Sequence, residues 1–289
     1  MSLGIDARVQ PISSPSEVAA VFADAIPVLD CPLMSIPQPG KPLAANAEAV
    51  VASIRQAVSL VQSGEASALV TNPIHKASLY ESGFNHPGHT EFLAELGQVT
   101  GPPVMMLACD QLRTVPVTVH LSLREAIGSL TTESILTQSK IAATALRREF
   151  GIAKPRLAIA GLNPHAGENG TMGDEEEAII LPAIAALCED GIDATGPHPS
   201  DALFSPHNRN TFDVAICMYH DQALIPVKAL DFDGGVNVTL GLPFVRTSPD
   251  HGTAFDIAGS GQASEASLVN AIRMATNMAA MRAANENAA

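Results

Sequence analysis

Apolar runs of strand length, each cut off by a polar cluster, alternate along this chain with longer amphipathic segments, and few folds accommodate that alternation. ALVTNP (68–73) stops at Pro73. PVMMLA (103–108) and RTVPVTVH (113–120) make an expected strand pair that turns around Asp110, and RLAIAG (156–161), FDVAICMY (212–219) and VNVTLG (236–241) follow. Between the strands, residues 47–64 and 131–150 carry helical spacing and close at Gly64 and Gly151. Residues 174–188 read as a helix whose acidic run DEEE falls in the first turn, where it suits the helix dipole. Residues 268–285 read as a C-terminal helix, and residues 1–45 are broken by Pro and Ser apart from a helix-like stretch in SEVAAVFADAI. Strands alternating with helices predict an α/β fold, a parallel or mixed sheet with helices on both faces.

The chain has 289 residues and is 46% hydrophobic, enough for a sizeable core. At about 150 residues per domain, that length suits two domains or one large one. Asp and Glu number 30 against 16 Lys and Arg, giving a formal charge of −14 that argues against nucleic acid or an anionic membrane as partner. The lack of Trp, with only two Tyr, weighs against stacking on bases. No apolar run reaches membrane-spanning length, and the opening MSLGIDARVQ lacks the basic and apolar regions of a signal peptide. Cys31, Cys109, Cys188 and Cys217 are scattered without C-x-x-C spacing, as expected of reduced thiols in a cytoplasmic protein.

In open α/β sheets, ligands bind beyond the carboxyl ends of strands. Three strand ends here each deliver a histidine: TVPVTV ends at His120, RLAIAG runs into Asn163-Pro164-His165, and FDVAICMY ends at His220-Asp221-Gln222. A single histidine in such a place is usually a hydrogen-bonded surface residue. Three imidazoles meeting in a cleft would instead be the ligand set of a divalent transition metal with open positions, able to polarise a substrate hydroxyl. Spacings of 45 and 55 residues leave convergence open. Lys228, Asn237 and Arg246 cluster downstream and would suit an anionic substrate. The alternative is a solvated Lys and an Arg paired to one of the many carboxylates. No G-x-G-x-x-G follows a strand and no P-loop occurs, and GENGTMG (167–173) reads as a plain loop.

The stretches TNPIHK, HPGHTEFLAE, TVHLSL, GLNPHAGENGTMGDEE, MYHDQALIPVK and VNVTLGLPFVRTSPDHGTAFDIAG, in this order, resemble the 4-hydroxythreonine-4-phosphate dehydrogenases of vitamin B6 biosynthesis. The resemblance implies two α/β/α domains with a cleft between them, of the isocitrate/isopropylmalate dehydrogenase type. Residues 1–98 and 241–289 would form the outer, cofactor-side domain, and 99–240 the central metal-binding and dimerisation domain. It also implies a homodimer with the active site at its interface, NAD as cofactor, and one divalent metal per subunit (Zn, Mg or Co). His120, His165 and His220 match the family's metal ligands, shared between subunits. His89 and Thr90, with Lys228, Asn237 and Arg246, match its contacts to a phosphorylated substrate. HGTAFDIAG is similar to the loop that holds the adenosine in the wider superfamily, making His251, Gly252, Ala254 and Asp256 the expected cofactor residues. A carboxylate at Asp256 would accept the ribose 2′-hydroxyl and repel a 2′-phosphate, favouring NAD over NADP.

Two departures from the pattern matter. Family members open with a strand and a turn of the type G-x-x-x-G-I-G-P-E, whereas this chain begins MSLGIDARVQPISSPSE, so an amino-terminal strand and a wall of the cleft are expected to be absent. PHPSDALFSPHNRN and MYHDQALIPVKALDFDGG also differ in detail. The expected reaction is oxidation of 4-phosphohydroxy-L-threonine to a β-keto acid that decarboxylates, with Lys228, Asp201 or Asp221 accepting the hydroxyl proton. The alternatives are a paralogue acting on D-threonate or D-erythronate 4-phosphate, or an inactive binding protein. Rivals of another class are a transferase resembling phosphate acetyltransferases and a metal-dependent aldolase or hydrolase.

Overall fold

The computed structural model describes residues 7–86 and 88–288. A small parallel pair, β1 (Val9–Ile12) and β2 (Ile26–Leu29), flanks a one-turn helix α1 (Val18–Val21) and stands apart from the main sheet. Next come α2 (Ala47–Gln62), β3 (Leu69–Val70), α3 (Lys76–Tyr80), α4 (His89–Leu96) and the hairpin β4 (Val104–Cys109) and β5 (Leu112–Pro116). The chain continues through α5 (Leu123–Ser129), α6 (Thr132–Phe150), β6 (Arg156–Ala160), α7 (Leu181–Glu189), β7 (Asp193–His198) and α8 (Ser200–Leu203). It ends with β8 (Val214–Cys217), α9 (His220–Leu230), β9 (Val236–Leu240), β10 (Arg246–Pro249) and α10 (Ala266–Ala288).

Eight strands form one mixed sheet in the order β3-β10-β9-β4-β5-β8-β6-β7. From β5 to β7 all neighbours run parallel, while β10, β9, β4 and β5 pair antiparallel in turn. Period-two alternation decides which face each side chain takes. In β4, Val104, Met106 and Ala108 pack into the core beneath α6, α7 and α10, whereas Leu107 and Cys109 pack into the core beneath α9. A third apolar cluster joins α2, α3 and α4 to Leu69, Leu242 and Phe244. Helices on both faces of a mixed sheet are the α/β architecture that the alternation predicts. The sheet is continuous where β10 pairs with β9, across the boundary drawn at residues 240 and 241.

The long helix α6 follows local chemistry. Thr131 caps its N-terminus by accepting the Ser134 N–H, and Gly151, at φ +69°, ends it in the left-handed conformation that costs glycine no Cβ clash. Three expectations shift. ALVTNP yields only two strand residues, and β7 and β10 arise where no apolar run announces them. The segment from 174 opens with a π-turn at Glu176–Ile180 before α7 begins. No helix among the described residues is long and apolar enough to cross a membrane.

Candidate active site

The three histidine-bearing strands are neighbours. β5, β8 and β6 lie side by side and parallel, so His120, His220 and His165 all leave the sheet at its carboxyl edge. The rings of His120 and His220 lie with centroids 6.3 Å apart and planes tilted by 39°. His220 opens α9, and its Nδ1 meets Asp221 Oδ1 at 2.8 Å, which fixes the ring and leaves Nε2 available. His165 is exposed on the loop after β6, and the structure does not bring it to the other two. Among the described residues, no three His, Cys, Asp or Glu of one chain are placed to hold an ion. The imidazole donors and the carboxylate behind one of them fit a divalent cation chemically, but one chain supplies an incomplete set.

The loop carrying His165 has unusual backbone. Residues 165–170 all have positive φ, from +41° at Glu168 to +81° at Gly170, and four of them are not glycine. Such a left-handed run is disfavoured for L-residues and persists only where surroundings hold it. Glu176 does so from below. Its carboxylate, only 3% exposed, accepts the N–H groups of Leu162 and Asn163 at 2.7 Å each and the Asn163 side-chain amide at 2.9 Å. A Cβ on Gly167 would lie 2.7 Å from that carboxylate, so only glycine fits there. The acidic run therefore does more than suit a helix dipole: one of its members faces inward and is the loop's anchor.

On the other half of the sheet, Arg246 starts β10 with its side chain buried, 5% exposed. Its guanidinium donates to Thr239 Oγ1 and Thr71 Oγ1, both at 2.8 Å, while Nε has no partner and no carboxylate pairs with it among the described residues. Asn237 lies opposite Ser248 in the antiparallel register, which puts it on the same face as Arg246. Burial pulls the Arg246 pKa down to about 10, so the charge persists at neutral pH. His89, first residue of α4, is held down at about 4, mainly by burial and then by the Arg246 charge, and its Nε2 is buried without a partner. A buried guanidinium and a neutral imidazole, neither fully satisfied, suit an oxyanion. Lys228 on α9 is held by Asp250 at 2.8 Å and lies over the Phe232 ring. Thr90 follows His89 in α4, and Asp201 and Asp221 are exposed near the starts of α8 and α9.

A cavity of about 800 Å³ opens beside α3, lined by Gly40, Asn46, Asn72, His75 and the loop His251, Gly252, Thr253, Ala254 and Phe255. That volume is of the size that encloses a substantial organic ligand. A Cβ on Gly40 would come within 2.8 Å of the Phe255 carbonyl, so the loop and the 37–43 segment approach as backbone. Ala254 adopts φ +45° at the bend. Three of the four expected cofactor residues line this cavity. Asp256 is exposed and does not line it.

A family model described as pyridoxal phosphate biosynthetic protein PdxA matches residues 1–275. The chain belongs to the PdxA family. A protein of Bradyrhizobium diazoefficiens named 4-hydroxythreonine-4-phosphate dehydrogenase is 55% identical, over 97% of this chain and 82% of its own length. One of the same name from Caulobacter vibrioides is 54% identical, over 97% and 86%. Among solved structures, the 4-hydroxythreonine-4-phosphate dehydrogenase of Klebsiella pneumoniae superposes with a TM-score of 0.85 at 41% identity, covering 94% of this chain and 82% of its own.

Within this PdxA-family site, sequence patterns did not single out Thr71, Thr239, Asp250, Glu176 or Gln222. All five act through side-chain hydrogen bonds or ion pairs, most of them across 13 to 175 residues, which no local spacing reports. One of the singled-out residues has a measurable acid signature. Unfolded, His89 takes its proton near 6.5, and folded only near 4, so its contribution to stability is complete above pH 6.5 and is lost as pH falls towards 4. The loss amounts to about 3 kcal/mol. Urea unfolding of His89→Gln at pH 7 and pH 4.5 is expected to show a smaller acid loss than the parent, and equal losses would disprove the assignment.

Proposed function

We propose that this PdxA-family chain is an NAD-linked, metal-dependent oxidoreductase of pyridoxal phosphate biosynthesis. It oxidises the C3 hydroxyl of 4-phosphohydroxy-L-threonine to a β-keto acid, which loses carbon dioxide to give 3-amino-2-oxopropyl phosphate. The observation that carries the reading is Arg246, a buried cation with no carboxylate partner among the described residues, beside His89, whose Nε2 likewise has none there. With Thr90, Asn237 and Lys228 these groups bind the phosphate and carboxylate ends of the substrate. The unit formed by residues 1–98 and 241–289 carries the cofactor at His251, Gly252 and Ala254, with Asp256 on the ribose, and residues 99–240 carry the histidines.

His120 and His220 would hold the metal together with His165 of a second copy, which makes the working unit a homodimer. The exposed apolar side chains of Leu121, Leu123 and Ile127, directly after His120, support burial of that edge against another subunit. A divalent cation such as Zn, Mg or Co, held by these imidazoles, supplies Lewis acidity toward the substrate hydroxyl and carboxylate. Asp221 orients His220, and Asp250 fixes the Lys228 ammonium against the substrate. Asp201, exposed and with no partner among the described residues, accepts the hydroxyl proton, and NAD, when bound, would supply the hydride acceptor. The name shared by the close relatives weighs against the threonate or erythronate paralogue and against an inactive binding protein.

NADH absorbance tests the reading. The phosphorylated hydroxythreonine is expected to give NADH, a chelator to abolish it, and added divalent metal to restore it. Turnover of the threonate analogue in its place would transfer the chain to the paralogue, and no NADH with either acid would end the dehydrogenase reading.

A further inference from the structure

Gln222 lies two residues beyond His220, inside α9, and is 7% exposed. Its carboxamide is fully used. Oε1 accepts the N–H of Met218, at the end of β8 just before His220. Nε2 donates to the carbonyl of Gly161, at the end of β6, at 2.6 Å, and to Ser200 Oγ, the first residue of α8, at 2.8 Å. The three anchor points precede His220, His165 and Asp201 respectively in the chain. Gly161 is also the residue on which the left-handed loop rests: a Cβ there would lie 2.9 Å from both Cα and Cβ of Ala166, the neighbour of His165. Glu176 holds the next two residues of that loop by accepting the N–H groups of Leu162 and Asn163.

We infer that Gln222 is a positioning residue, its one carboxamide tying the strand end that carries His220 to the turn that carries Asp201 and to the strand end whose His165 serves the partner's centre. Backbone pairing alone does not do this. The pairing of β6 with β8 runs from Leu157 and Val214 and stops at Ile159 and Ile216, and beyond them the two strands diverge into a loop and a helix. An amide is the right group, because the link needs one acceptor and two donors in a plane. A carboxylate would keep the Met218 contact and face the Gly161 carbonyl with a second oxygen. A thioether would keep the volume and lose all three bonds. The inference rests on the functional reading above for its catalytic consequence and on geometry alone for its structural one.

The test uses the full-length protein with Gln222→Met and Gln222→Glu. Amide deuterium uptake over residues 161–170, measured without substrate or metal, is expected to rise in both variants while uptake over 104–116 stays at the parent level. In turnover, kcat is expected to fall about 10- to 100-fold, with KM for 4-phosphohydroxy-L-threonine nearly unchanged, since the groups that grip the acid are untouched. General destabilisation would raise uptake across the sheet and leave kcat intact, so it overturns the inference. Unchanged uptake over 161–170 overturns it too, whatever kcat does. Should either variant fail to fold, Ser200→Ala removes one of the three bonds and is expected to shift both readouts in the same directions by less. If the parent itself forms no NADH, the functional reading fails, and the uptake measurement still decides the role of Gln222.

Discussion

Arg246→Met is expected to leave the protein at least as stable as the parent while lowering kcat/KM by about 10²- to 10⁴-fold. The two effects oppose each other because the folded chain buries this charge with no carboxylate among the described residues to balance it. The downward shift of its pKa to about 10 measures that burden, equivalent to about 3 kcal/mol against folding at neutral pH. Methionine fills a similar volume and needs no partner. Two threonine hydroxyls, Thr71 and Thr239, lose their donor, which offsets part of the gain and leaves a net of about 1–2 kcal/mol in favour of the variant. Substrate binding suffers because truncating one side of a buried ion pair strands the other, here the phosphate or carboxylate of the substrate. Scanning calorimetry and NADH kinetics read the two effects separately. A variant that melts earlier and turns over normally would make Arg246 a structural residue and remove the main support for an anionic substrate.

His165→Ala and His220→Ala should each be inactive alone, yet a mixture of the two is expected to recover about a quarter of the parent activity. In a mixed pair, one site takes His120 and His220 from one subunit and His165 from the other, all intact. The second site collects both lesions. Random exchange makes about half of the pairs mixed, each with one working site of two. If all three ligands came from one chain, both sites in every pair would carry a lesion and mixing would restore nothing. Both variants should fold, because His165 is exposed and His220 half-buried, and neither belongs to an apolar cluster. An inactive mixture in which mass spectrometry finds mixed dimers would refute the shared site.

The fold was legible where burial writes itself into apolar runs. β4, β6 and β8 lie inside the sheet and read directly from PVMMLA, RLAIAG and FDVAICMY, and α6 was bracketed by Thr131 and Gly151. β10 escaped because its residues are Arg, Thr, Ser and Pro, all buried, with Thr247 satisfied by the carbonyl of Ala271 rather than by apolar packing. β7, DATGPH, is an edge strand with little apolar content to betray it. Among the site residues, the histidines stood out because strand ends concentrate chemistry. The sequence could show neither that β5, β8 and β6 would be neighbours nor that His165 would not join the other two in one chain. Sheet order is a matter of topology, and the direction of the loop after β6 depends on Glu176 and on glycines at 161 and 167.

The strand order also separates two tasks that evolution can then treat separately. The imidazoles follow the parallel strands β5, β8 and β6, and Asn237 and Arg246, proposed to bind the acid, sit on the antiparallel strands β9 and β10, with β4 between the two groups. On the proposed function, drift within residues 236–249 would reshape the pocket for the tail of a new acid while the ladder that spaces the imidazoles is inherited unchanged. A lineage built on this plan would diversify in what it recognises long before it changed the reaction it performs.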